Sequence, residues 1–189
     1  KEAGYDGVEV WLPGKENERQ EMLRAVKKYG LQLGFLAAGW QSDFKEHLTA
    51  FQKNLEDCVQ HQPLYINCHS GRDYFTFEQN KQFIEATIKA AQASGIPIFH
   101  ETHRSRICYS APVTRKFLEE IPAMRLNVDL SHWCTVHESL LQDQQETVQL
   151  ALHRADHIHA RIGHQEGPQV NDPRAPEWSE AVKQHFAWW

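Results

Sequence analysis

Five side chains in the second half of the chain have the types and spacing of a metal site: Glu101, then Asp129 and His132, then His157 and His159. Carboxylates and imidazoles together ligate Mn2+, Co2+, Zn2+ or Mg2+, and a set richer in oxygen than nitrogen leans towards the harder Mn2+. Each group closes a short, mainly apolar run: IPIFHE at 96–101, RLNVD at 125–129 and DHIHARI at 156–162. Glu101 and Asp129 are 28 positions apart, and Asp129 and His159 are 30 apart. A strand, a helix and their loops consume about 30 residues. Successive parallel strands would therefore deliver these side chains to one end of one sheet, where parallel α/β folds place their sites.

Alternation along each strand sorts its residues into two faces. Asn127 and Asp129 share one face and Leu126 and Val128 the other, while Asn67 and His69 oppose Ile66 and Cys68. His157, His159 and Arg161 oppose Ile158, Ala160 and Ile162, and Phe99 with Glu101 opposes Ile98 with His100. A lone histidine in such a place is more often a satisfied structural group than a ligand. Glu101, Asp129 and His159 at three successive strand ends reverse that balance. Arginines flank them: Arg104 and Arg106 after Glu101, Arg72 after His69, and Arg161 beside His159. Guanidinium groups fit carboxylates and phosphates. The candidate substrate-binding residues are therefore His69, His103, Arg104, His157 and Arg161. Trp11 and Trp40, after the first two strands, either stack on a sugar ring or cap the fold, the second being the commoner role.

The elements that position these groups alternate strictly. Strands are expected at 7–11, 31–38, 64–68, 96–100, 125–129 and 156–162. Helices are expected at 17–29, 43–61, 77–93, 114–120 and 140–154, with a last one opening at Glu177. Gly30 and Gly95 follow two of the helices as C-caps, and Pro63 and Pro122 stop two others. Strict βα alternation implies a parallel sheet with right-handed crossovers. No glycine-rich phosphate loop follows any strand, which weighs against an open nucleotide-binding sheet. Polar groups at the ends of most strands favour a (β/α)8 TIM barrel. About six βα units are present, so the barrel is expected to be incomplete, with its first and last strands missing. Residues 1–189 read as a single domain, and both ends read as cut: the chain opens on KEAGYDGVEV and finishes inside EWSEAVKQHFAWW.

Composition narrows the function. The net charge of −5 repels nucleic acid and anionic membrane surfaces, so neither partner is expected. The sequence holds no apolar run of about 18 residues that could span a bilayer. Cys58, Cys68, Cys108 and Cys134 lack the spacing of a zinc knuckle or a disulfide framework and read as reduced thiols of a cytoplasmic protein.

The strand ending in Glu101, the DLSH of residues 129–132, the HIH of residues 157–159 and the opening GYDGVEVW together resemble the xylose isomerase-like TIM barrels, over nearly the whole chain. That family includes sugar isomerases and epimerases, the inosose dehydratase group and the apurinic endonucleases. The resemblance implies one divalent ion held by Glu, Asp, His and Glu from strands five to eight. Three of these match Glu101, Asp129 and His159, and the fourth belongs on an eighth strand beyond this chain. It also implies that Glu101 moves a proton as well as binding the ion, and that His132 contacts a substrate oxygen or polarises a carbonyl. Known ketohexose epimerases carry a second Glu six residues past the first ligand and an Arg six past the His ligand. This chain has Ile107 and Gln165 there, which weighs against simple ketohexose epimerisation. The expectation is a metal-dependent isomerase or epimerase acting on a small carbohydrate, possible as a homo-oligomer. The alternatives are a dehydratase of the same family, an apurinic endonuclease-like hydrolase and a non-catalytic relative.

Overall fold

The computed structural model describes residues 2–189. Six strands run in the order of the sequence: β1 (Gly7–Trp11), β2 (Gln32–Ala38), β3 (Tyr65–His69), β4 (Ile98–Glu101), β5 (Leu126–Val128) and β6 (Ala155–Ile158). Every neighbouring pair is parallel. Helices α1 (Glu16–Tyr29), α2 (Phe44–Val59), α3 (Phe77–Ser94), α4 (Ala111–Glu120), α5 (Leu130–Val136) and α6 (Gln145–His153) fill the crossovers, and α7 (Ser179–Trp188) follows β6. The sheet curls, so that Glu9 on β1 meets His159 at the end of β6 although no ladder joins those strands. The architecture is an incomplete (β/α)8 barrel.

Local chemistry explains the boundaries. Asp43 caps α2 by accepting from the Lys45 and Glu46 amides, and Thr76 and Gln79 form a reciprocal capping box at α3. Gly30 and Gly95 close α1 and α3 with φ of +58° and +73°, a conformation costly for residues with a Cβ. The outer faces of the strands pack on the helices in two clusters. One gathers Phe35, Phe51, Ile66 and Phe83 under β2 to β4. The other gathers Ile84, Phe117, Met124, Leu126 and Trp133 under β5 and β6.

Three regions depart from the sequence expectation. Asp129 accepts from the Ser131 amide and starts α5 directly from the strand, a short helix that sequence periodicity did not reveal. Helix α6 begins at Gln145, not at Leu140, because Leu141 takes a positive φ of 60° and is incompatible with a continuous helix. The last strand also ends early, at Ile158. Its partner β5 stops at Val128, and the final ladder bond is from the His159 amide to the Val128 carbonyl, at 3.1 Å. Residues 159–162 therefore run as a loop over the barrel mouth.

Candidate functional site

Strand alternation places Glu9, Asn67, Glu101 and Asn127 on the concave side of the sheet. Asn67, Glu101 and Asn127 are buried, an expensive location that polar side chains occupy only with partners or for function. Glu101 is the centre. Its Oε2 accepts from Asn67 Nδ2 at 2.7 Å and from His69 Nε2 at 2.8 Å, and His159 Nδ1 lies 3.4 Å away. Its Oε1 stands 3.9 Å from His132 Nε2. His159 turns its other nitrogen, Nε2, to Glu9 Oε1 at 2.9 Å.

Asp129 is fixed from several directions. Its Oδ1 accepts from the Ser131 amide and hydroxyl. Its Oδ2 accepts from Arg161 Nη2 at 2.5 Å, and the same Nη2 donates to His132 Nε2 at 2.6 Å. Arg161 Nε reaches Ser131 Oγ at 3.1 Å. This closeness of the β6 loop to α5 requires Gly163, where a Cβ would come within 2.6 Å of Ser131 Cα.

Three overlapping groups bring ligand atoms within 4.8 Å of one another: Glu101, Asp129 and His159; His69, Glu101 and His103; and Glu9, His157 and His159. The first is two carboxylates and an imidazole, a donor set suited to a divalent ion of intermediate or hard character. Glu9 Oε2 and Asn67 Oδ1 are buried beside it without hydrogen-bond partners, so acceptor capacity remains. The residues present therefore fit a divalent ion.

The electrostatics follow from burial and from the carboxylates. Burial opposes the Glu101 charge, but hydrogen bonds from His159 and His69 outweigh it and hold the carboxyl well below the usual carboxylate range. Burial likewise opposes the His159 charge, and Glu101 and Glu9 overcome it, raising the imidazole to about 10. Asp129 is raised by burial, an effect that Arg161 and Ser131 partly counter. His132 is pushed down to about 2 by burial, with His103 and Arg161 lowering it further. It is neutral, as its acceptance from Arg161 requires. His103 is lowered to about 4, first by burial and then by His69.

Most of the residues singled out from the sequence meet here. Glu101, Asp129, His132 and His159 converge, with His69 on Glu101 and the His103 ring 3.9 Å from that of His132. Arg161 reaches the site, but its guanidinium is already engaged by Asp129. His157 lies deeper, stacked on Phe99 and 4.5 Å from the Tyr65 ring. Arg104 is exposed, with no side-chain hydrogen bond or ion pair among the described residues. His100 is on the helix side, between Ser70 Oγ at 2.8 Å and Thr87 Oγ1 at 2.7 Å, where burial lowers it to about 3. Glu9 was not singled out from the sequence. Its only signal was an acid on the face of β1 opposite to Val8 and Val10.

Comparison with known proteins agrees with this architecture. The chain matches the xylose isomerase-like TIM barrel family over residues 1–172. No curated protein sequence matches it. Among solved structures it is similar to a D-tagatose 3-epimerase-like protein, with 13% identity and a TM-score of 0.70 over 98% of this chain and 79% of that one. It is also similar to the 3-keto-D-glucoside 4-epimerase of E. coli, with 18% identity and a TM-score of 0.63 over 99% and 79%. A third is a probable 3-DHS dehydratase of Bacillus anthracis, with 17% identity and a TM-score of 0.56 over 93% and 69%. At these identities the likeness establishes the fold. Among the described residues no helix is long and apolar enough to cross a membrane.

Proposed function

The chain belongs to the xylose isomerase-like TIM barrel family, and we propose that it is a divalent-metal-dependent isomerase or epimerase that moves a proton beside a carbonyl of a sugar or polyol-derived substrate. The observation that carries the reading is the meeting of Glu101, Asp129 and His159 ligand atoms within 4.8 Å at the ends of consecutive strands. These three side chains hold the ion, Mn2+, Co2+, Zn2+ or Mg2+. A bound ion supplies Lewis acidity, which acidifies the carbon-bound proton next to a coordinated carbonyl.

The chain's own residues do the rest. The hydrogen bonds from Asn67 and His69 fall on Glu101 Oε2 and leave Oε1 facing His132. Oε1 is therefore the atom that accepts the proton. Hydrogen bonds from His159 and His69 keep the carboxylate ionised at neutral pH, the form in which it can accept a proton. His132 is neutral and orients a substrate oxygen. Arg161 donates to both Asp129 and His132 and is a positioning residue. Trp11, whose ring is 5.3 Å from that of His69, offers a flat apolar wall beside the carboxylate. Two proteins of the same fold, a D-tagatose 3-epimerase-like protein and a 3-keto-D-glucoside 4-epimerase, support this choice of substrate class.

The test is metal titration of the purified, chelator-stripped protein, read by elemental analysis and thermal unfolding. About one ion per chain is expected, and at 100 times its Kd it adds about 2.7 kcal/mol of stability. Absence of binding would remove the proposal. Two or three ions per chain, drawing in His69 and His103 around Glu101, would favour the multi-ion hydrolases.

A further inference from the structure

We infer that the loops after β2, β3 and β4 form an anion subsite, built on Arg72 and Arg106, that takes a carboxylate or phosphate carried by the substrate. The inference rests on the proposed function for the location of the reacting carbons, and it narrows the substrate from sugars in general to acidic ones.

Arg106 is only 4% exposed. Its guanidinium lies 4.8 Å from the centre of the Trp40 ring. Its Nη1 reaches the Gly39 and Gly71 carbonyls only at 3.5 Å, the outer limit of a hydrogen bond, and its Nε is buried without a partner. Arg72 donates from Nη2 to the Trp40 carbonyl at 3.2 Å, and its Nε is also buried and unpartnered. Arg19, Arg115, Arg125, Arg161 and Arg174 each have a carboxylate partner. Among the described arginines without one, only Arg72 and Arg106 leave a buried Nε unpartnered.

This is an arrangement that a stable fold avoids without a reason. A guanidinium carries five N–H donors in a fixed fork and cannot shed its charge at neutral pH. Burying it without an anion forfeits hydration with no return, and a second guanidinium nearby adds repulsion. Both effects act on Arg106, which burial and then Arg72 push down to about 10. Asp73 and Tyr74, in the loop of Arg72, are near enough for their charges to act on Arg106, yet Asp73 is exposed and forms no ion pair with it. A carboxylate or phosphate supplies what is lacking: two or three acceptor oxygens and a negative charge.

The position suits a substrate group. Arg106 covers Trp40, Trp40 stands 5.6 Å from Trp11, and Trp11 stands 5.3 Å from His69, which donates to Glu101. Reactive carbons beside Glu101 and an anionic tail beside Arg72 and Arg106 would thus be separated by a wall of two indoles. Arg106 is also close enough for its charge to act on Glu101 and His103.

The experiment is isothermal titration of the purified protein with D-gluconate, inorganic phosphate and D-glucitol at constant ionic strength, on the protein as purified and on protein stripped of metal and then dialysed free of chelator. At least one anion should bind at millimolar concentration or below, with glucitol about tenfold weaker or more. Losing a bidentate charge-assisted contact is worth about 1.5–3 kcal/mol, so Arg106→Gln and Arg72→Gln should each weaken the anion about tenfold or more. Tighter gluconate identifies a carboxylate, and tighter phosphate a phosphate. If Arg106→Gln loses its circular dichroism, Arg72→Gln carries the test, since Arg72 is only half-buried. The inference is overturned if neither anion outbinds glucitol, if the folded variants bind as the parent does, or if the metal-stripped protein no longer binds the anion. Metal content on the same samples separates the two ideas. Anion binding by a protein that takes up no metal removes the proposed function alone, and metal uptake without anion binding removes this inference alone.

Discussion

Replacing Glu101 by Gln isolates proton transfer from the architecture that surrounds it. The carboxylate is 3% exposed, and its Oε2 accepts two short hydrogen bonds, from Asn67 and His69. A glutamine can turn its amide oxygen to the same two donors and place its NH2 where Oε1 now faces His132. Converting two charge-assisted bonds to neutral ones costs about 1 kcal/mol each. The desolvation penalty of a buried carboxylate disappears at the same time, so about 2 kcal/mol is an upper bound. For a chain of this size that is a fall in Tm of about 4–8 °C or less. The amide cannot accept a proton at neutral pH. The rate should therefore fall by about 10²–10⁴, equivalent to about 3–5 kcal/mol in barrier. The assay is deuterium wash-in from heavy water into a candidate ketose, followed by NMR, with metal content measured on parent and variant. A variant that keeps its metal and exchanges at the parent rate would show that Glu101 is a ligand and not the base.

Two further substitutions probe the frame. Glu9→Gln weakens the acceptor that orients His159 from 2.9 Å and should lower metal affinity by roughly 10–100-fold, as loss of an outer partner of a ligand does; unchanged affinity by titration calorimetry would mean that Glu9 does not orient the ligand. Phe117→Ala empties a site that is 1% exposed and stacked on Phe77 at 4.3 Å. It should cost about 3–5 kcal/mol and lower the urea midpoint by about 1 M or more, and a midpoint unmoved by the change would place the core elsewhere.

What the sequence revealed and what it hid divide along a physical line. The six strands were legible because each is a short apolar run between turn signals. The coming together of Glu101, Asp129 and His159 could be anticipated because each follows such a run by a fixed offset, so the strand itself does the aiming. Glu9 was not legible. An acid in GVEVW looks like the solvent side of an alternating strand, and only the curl of the sheet brings it to a histidine 150 positions away. The pairing of Arg161 with Asp129, 32 positions earlier, is one that no local pattern encodes. Arg106 lies in a loop without periodicity, so its burial depends on how the loops after β2 and β3 fold over it. Helix α5 was missed because seven residues are too few for a periodic signal, and its start is set by the Asp129 cap.

That cap bears on how the site holds its shape. Two buried carboxylates, Glu101 and Asp129, repel one another and would drift apart on flexible supports. Uncharged groups prevent it. Thr102, the residue after Glu101, accepts from the Asp129 amide at 2.7 Å and donates to the Asp129 carbonyl at 2.9 Å through one hydroxyl. The ends of β4 and β5 are thereby locked in register immediately beside both acids. Ser131 donates its amide and hydroxyl to Oδ1 of Asp129, the cap of α5, which leaves Oδ2 as the oxygen turned towards Arg161 and the space beside Glu101. The spacing of the two acids is thus set by backbone and hydroxyl contacts that do not depend on what neutralises them. A site held in this way can exchange a proton, an arginine contact or an ion at the carboxylates without moving the strands that carry them.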